Sequence, residues 1–155
     1  ALVRHTIHLL ATLAQLNVLP RRALPERIPH RVHESSCAEE LSLLSVVAEK
    51  LGFSRYAQEL MRALFLDYAH VDLARAQTAE SLTAVIFLFA EINAIDLAPI
   101  TELYHVFGSD RRHVRAAHEH IREALGCISF DPRYLGEEGF VTMLYSVVNG
   151  TFKVS

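Results

Sequence analysis

Histidines, cysteines and arginines are the side chains in this 155-residue sequence whose spacing can carry chemistry. His118-Glu119-His120 superficially resembles a metalloprotease string. That chemistry needs its second histidine one helical turn after the first, where Arg122 stands, so the match is rejected. His30, His33 and Cys37 are spaced as three zinc ligands can be. No convincing fourth ligand lies nearby, and surface histidines on a proline-rich loop are the preferred reading. His5 and His8 share a helix face and read as partly buried packing residues. There is no glycine-rich phosphate loop, nucleophile elbow or dinucleotide fingerprint, and the six glycines mostly fall where helices stop. The expectation is a chain that is not an enzyme and uses no metal or cofactor.

A basic stripe is more informative. Arg111, Arg115, His118 and Arg122 recur at intervals of four, three and four, so a helix lines them along one outward face, with Arg112 and His113 beside its start. A solvated charged face is the plain alternative. Cations in a first turn oppose the helix macrodipole by about 0.3–1 kcal/mol each. Arg111 and Arg112 therefore do not stabilise their helix, and the stripe is read as a partner-binding surface.

The elements that must position this stripe are helical throughout. Leu2, Ile7, Leu9, Leu10, Leu13 and Leu16 predict a helix over 1–17, followed by an irregular segment 20–36 that Pro20, Pro25 and Pro29 interrupt. Ser36 and Glu39 form a capping-box pattern opening a helix that runs to Gly52. Ser54 caps a second helix ending near His70, with Ala57, Leu60, Met61, Leu64, Phe65 and Tyr68 as its apolar stripe and Asp67 on another face. Thr78 caps a third, over 79–93, that is apolar on every side. Such a helix must be surrounded by others, because about 1.5–3 kcal/mol is lost for each large apolar side chain left in water. Pro99 begins a short helix that Gly108 ends, and Ser109 caps the last strong one, 110–125, closed by Gly126. Helix, Gly-Ser turn and helix give a helix-turn-helix outline. In the tail, Phe140, Leu144, Val147 and Val148 permit an amphipathic helix stopped by Asn149-Gly150, a dipeptide that can also turn a hairpin; helix is preferred.

Bulk composition bounds the partners. Hydrophobic residues make up 51% of the chain, enough for one core or two small helical modules. The net charge of −3, from 15 basic and 18 acidic residues, means that affinity for nucleic acid must come from a local patch. Cys37 and Cys127 are far apart and fit a reduced cytosolic or nuclear chain, although one bridge stays open. No uncharged apolar stretch reaches membrane-spanning length and no leader pattern is visible, so a soluble intracellular protein is expected.

A shift of 76 positions sets residues 14–19 over 90–95 and 24–26 over 100–102. Duplication and chance similarity between amphipathic helices both account for this. The order and spacing of Leu51-Gly52-Phe53-Ser54, the buried run 79–93, and Ile100-Thr101-Glu102-Leu103 leading through Gly108 into 110–121 resemble the core of transcription factor IIB. That family's core consists of two cyclin-type five-helix repeats. The resemblance implies an all-α fold with tandem cyclin-like modules: a partial first repeat over 1–36, a second repeat with the helix-turn-helix over 37–126, and an extension over 127–155. It implies a nuclear initiation factor bridging the TATA-binding protein on promoter DNA to RNA polymerase II. Arg112 and Arg115 would then face bases, Arg111 and Arg122 would be candidates for phosphates, and Arg21, Arg22, Arg27 and Arg31 would belong to the first repeat, which meets protein partners. The family's core is usually basic and this chain is not, which implies weak DNA binding and dominant protein contacts. A regulatory cyclin that binds a kinase and an unrelated helical scaffold are the alternatives.

Overall fold

The computed structural model describes residues 34–97 and 100–150. These form seven α-helices and, among the described residues, no strand. They are α1 (Ala38–Lys50), α2 (Arg55–Val71), α3 (Leu73–Ala76), α4 (Ala79–Ile92), α5 (Ile100–Phe107), α6 (Arg111–Leu125) and α7 (Glu137–Val148). The all-α expectation holds, and the tail is a helix, not a hairpin. No described helix is long and apolar enough to cross a membrane. Both cysteines are free and buried. The helix expected over 1–17, the paired histidines His5 and His8, and Arg21, Arg22, Arg27 and Arg31 lie outside the described residues, as do His30 and His33.

α4 is the centre. Leu82, Val85, Ile86, Leu88, Phe89 and Ile92 are buried, and α1, α2, α5 and α6 all pack on it. The all-round apolar pattern therefore has the physical outcome it demands, a helix enclosed by its neighbours. Phe53 and Phe89 meet with ring centroids 5.6 Å apart, in a tilted geometry that suits aromatic pairs.

Turn chemistry fixes how the ring closes. Ser54 and Thr78 cap their helices as expected, their hydroxyls accepting from the amides of Ala57 at 3.1 Å and Ser81 at 3.3 Å. Two expected caps are corrected. A 3-10 turn over Glu34–Cys37 feeds α1, so Ser36 is already inside a turn, and Cys37 stands at the N-cap without a side-chain bond. Ser109 is not the cap of α6, because its hydroxyl is bonded to Thr83 Oγ1 at 2.8 Å; Asp110 caps instead, accepting from the Arg112 amide at 2.9 Å. At the other end Gly126 takes φ +61°, which lets the Cys127 amide donate to Arg122 O and the Gly126 amide to Glu123 O. Ala94 adopts the same left-handed geometry after α4, at φ +52°, without glycine's freedom.

The segment after Gly126 is built into the core. Asp67, read from sequence as lying off the apolar face of its helix, is fully buried and accepts a 2.5 Å hydrogen bond from the Tyr134 hydroxyl. Asn93 donates to Phe89 O and Tyr134 O, both at 3.0 Å, and accepts from the Gly136 amide at 2.7 Å. Asp131 and Arg133 form a buried ion pair at 2.9 Å, and Arg133 also donates to Leu125 O at 2.7 Å, capping α6. Buried polar groups must find such partners, since each one left unpaired costs about 1–3 kcal/mol.

Candidate functional site

The basic face is carried by α6. Val114, Ile121 and Leu125 are buried and anchor the helix on the core. Arg111, Arg112, Arg115 and Arg122 are all exposed, whereas His118 is largely covered, its side chain only 19% accessible. The stripe thus exists, but its residues are not equivalent.

In the C-terminal half the charges are already answered. His118 Nε2 lies 2.6 Å from a Glu91 carboxylate oxygen on α4. Arg122 donates to both carboxylate oxygens of Glu119, at 2.9 and 2.7 Å. That contact holds the Glu119 carboxyl below its usual range and raises the Arg122 guanidinium. Both side chains are about half exposed, so the pair offers little stability. In the N-terminal half Arg111 lies over the Tyr104 ring, 5.7 Å from its centroid, and Tyr104 in turn packs on Phe87. Arg112 and Arg115 meet no carboxylate among the described residues. His113 is near Asp110, at 3.5 Å.

The opening of α6 therefore combines three exposed guanidinium groups with the positive end of a helix dipole, with the Asp110 carboxylate at its cap. Chemically it can hold anionic groups by direct donation, and a guanidinium offers the planar fork suited to carboxylate or phosphate oxygens. The opposite flank of α6 bears a different arrangement. His120 Nδ1 lies 2.8 Å from the Tyr68 hydroxyl, with the rings edge to face, beside an open cleft of about 360 Å³ lined by Arg75, Thr78, Ser81 and His113. Burial is the main cause that raises the Tyr68 hydroxyl above the ordinary phenol range.

No group of metal-ligating side chains converges among the described residues. Cys37, considered above as a zinc ligand, faces the core, and burial raises its thiol. Sequence reasoning missed the buried polar knot of Asp67, Asn93, Asp131, Arg133 and Tyr134. The one available signal was Asp131-Pro132-Arg133, whose short spacing suits a carboxylate that turns back on its own backbone: Asp131 accepts from the Arg133 amide at 3.1 Å.

The sequence matches no family model, and no curated protein or solved structure matches it.

Proposed function

We propose that this chain is a non-enzymatic docking module of a nuclear transcription initiation assembly, working as the second repeat of a transcription factor IIB core does. In this reading α5 and α6 are a helix-turn-helix, the ring around α4 is cyclin-like, and other surfaces meet the TATA-binding protein and RNA polymerase II. The observation that supports it is the enclosure of α4 combined with the outward display of Arg112 and Arg115. Chain charge of −3 and the paired state of Arg122 and His118 limit the contribution of DNA, so that protein contacts supply most of the binding. A short cationic patch still lends orientation, because phosphate contacts fix register while base edges give specificity.

The test uses the tagged full chain in nuclear extract, with captured material scored for the TATA-binding protein and polymerase subunits against protein kinases. Alanine at Arg111, Arg115 and Arg122 together is expected to weaken promoter-complex assembly while helicity stays unchanged. On DNA alone, replacing Arg112 and Arg115 should flatten the dependence of log affinity on log salt by roughly 2 if both meet phosphates, and by less if they face bases. Full assembly by the triple variant would remove the basic face from the reading. Capture of an active kinase in place of polymerase would favour the regulatory cyclin.

A further inference from the structure

The sequence holds three asparagines, at positions 17, 93 and 149, and the structure places the last two in opposite environments. Asn93 is 1% exposed and its carboxamide is engaged on both donor and acceptor sides. Asn149 is exposed at the C-cap of α7, and its carboxamide has no hydrogen bond among the described residues. The residue that follows it is Gly150, at φ +71° and exposed, with nothing within 4 Å of where a Cβ would stand.

We propose that Asn149-Gly150 is a self-modification site, at which the chain converts Asn149 to aspartate and isoaspartate without an enzyme. The Gly150 amide nitrogen loses its proton to hydroxide and attacks Cγ of Asn149. A C–N bond forms, the Cγ–Nδ2 bond breaks, and ammonia leaves, giving a five-membered cyclic imide. Water then opens either carbonyl of that ring, so that residue 149 becomes a carboxylate on a normal or a rearranged backbone. No oxidant or reductant enters.

Three features of the structure favour this step at residue 149. The attacking nitrogen carries no flanking side chain, because residue 150 is glycine. Turning the backbone toward attack breaks the 3.2 Å bond from the Gly150 amide to Val147 O and disturbs no buried side chain, since Val147 and Val148 are both exposed. The carboxamide is already in water. At Asn93 the next residue is Ala94, which carries a side chain, and the carboxamide is buried and ties two elements together, although the Ala94 amide makes the same kind of 3.2 Å bond, to Glu91 O.

The product has a physical consequence. A carboxylate at 149 stands at the negative end of the α7 dipole, where anions are disfavoured. The rearranged form also inserts one carbon between Cα of residue 149 and the Gly150 amide, so the closing bond from the Gly150 amide to Val147 O cannot keep its register, whereas the bond from the residue 149 amide to Tyr145 O lies upstream of the change. The last turn of α7, with its exposed Tyr145, Val147 and Val148, is thereby loosened as the molecule ages. This inference does not depend on the proposed function.

The experiment incubates the full chain at neutral and mildly alkaline pH, folded and in denaturant, with site-resolved peptide mass spectrometry and an isoaspartate assay. Fraying helix ends open at close to zero free energy, so folded Asn149 should convert within about tenfold of its rate in the unfolded chain, while folded Asn93 is protected far more strongly. The rate should rise with hydroxide concentration, and Asn149→Gln, which would need a six-membered ring, should leave residue 149 intact in both states. Protection of folded Asn149 comparable to that of Asn93, or conversion at 149 that ignores pH, would overturn the proposal.

Discussion

Gly139, the third residue of α7, is the point where the tail meets the core, and replacing it with alanine should loosen the tail. A Cβ at this position would stand 2.3 Å from Asn93 Oδ1, 2.8 Å from Leu135 Cδ1 and 2.9 Å from Asn93 Cα. Two of these neighbours are side chains, but the third is main chain at the C-cap of α4 and cannot rotate away. Overpacking of this kind costs about 1–3 kcal/mol. If Asn93 turns aside instead, it forfeits three hydrogen bonds worth about 0.5–1.5 kcal/mol each. The opposing gain is alanine's helix propensity over glycine, at most about 1 kcal/mol. Sterics should win, leaving Gly139→Ala destabilised by about 2 kcal/mol, or about 4–8 °C in Tm for a chain of this size. Urea denaturation followed by circular dichroism measures the loss. Hydrogen exchange should localise it, with the amides of Phe130, Tyr134 and Gly136 exchanging faster than those of α4. A variant as stable as the parent would refute the close approach, because an unencumbered helix gains from this substitution.

Other outcomes follow from particular groups. Ala94→Gly removes a left-handed alanine, which costs about 1–2 kcal/mol, against an unfolded-state penalty of about 0.4–1 kcal/mol; a gain of about 0.5–1 kcal/mol in the urea midpoint analysis is expected. Burial, assisted by Asp131, pushes the Cys127 thiol up to about 12 from an ordinary value of 9.0. Above pH 9 the unfolded thiol ionises while the folded one stays protonated, so stability should fall by about 1.4 kcal/mol per pH unit toward pH 12. Cys127→Ala should flatten that slope between pH 9 and 10, before tyrosines join the titration; an unchanged slope would contradict the buried placement. Tyr134→Phe leaves the buried Asp67 carboxylate without its phenol donor and should cost about 1.5–3 kcal/mol by denaturant titration.

What the sequence made legible was local. A hydroxyl three residues before an apolar run marks Ser54 and Thr78 because the cap and the amide it serves lie within one turn. Gly52, Gly108 and Gly126 mark helix ends because each takes a positive φ there. The enclosed state of α4 was readable because residues 84–90 form an unbroken apolar run that leaves no polar side to face water. Failure began where two local candidates competed. Ser109 and Asp110 can each cap α6, and the choice is made by Thr83, 26 residues away, which binds the serine hydroxyl. Likewise α3, only four residues long, carries no period to detect. On the basic face, the Glu119–Arg122 pair is an i,i+3 contact visible in sequence, but the cover that Glu91 gives His118 comes from another helix.

The buried polar knot explains both why the burial of Asp67 was missed and how the tail bears on the basic face. Asp67 reads as a surface residue because its partner, Tyr134, is 67 positions away; only the fold makes its burial affordable. Once formed, the knot acts on α6. Arg133 donates to Leu125 O at the helix's end, Cys127 and Gly126 close its last turn, and His118 and His120 pin its flanks to Glu91 and Tyr68. A helix so held at its C-terminal end loses little backbone freedom when a partner engages the opposite end. In the proposed docking, the binding free energy of Arg111, Arg112 and Arg115 would be reduced mainly by ordering three long side chains, about 0.5–1.5 kcal/mol each, and not by ordering a helix. On the proposed docking reading, loosening the knot should therefore weaken binding at a face it does not touch, and so tie the stability of residues 127–136 to the competence of α6.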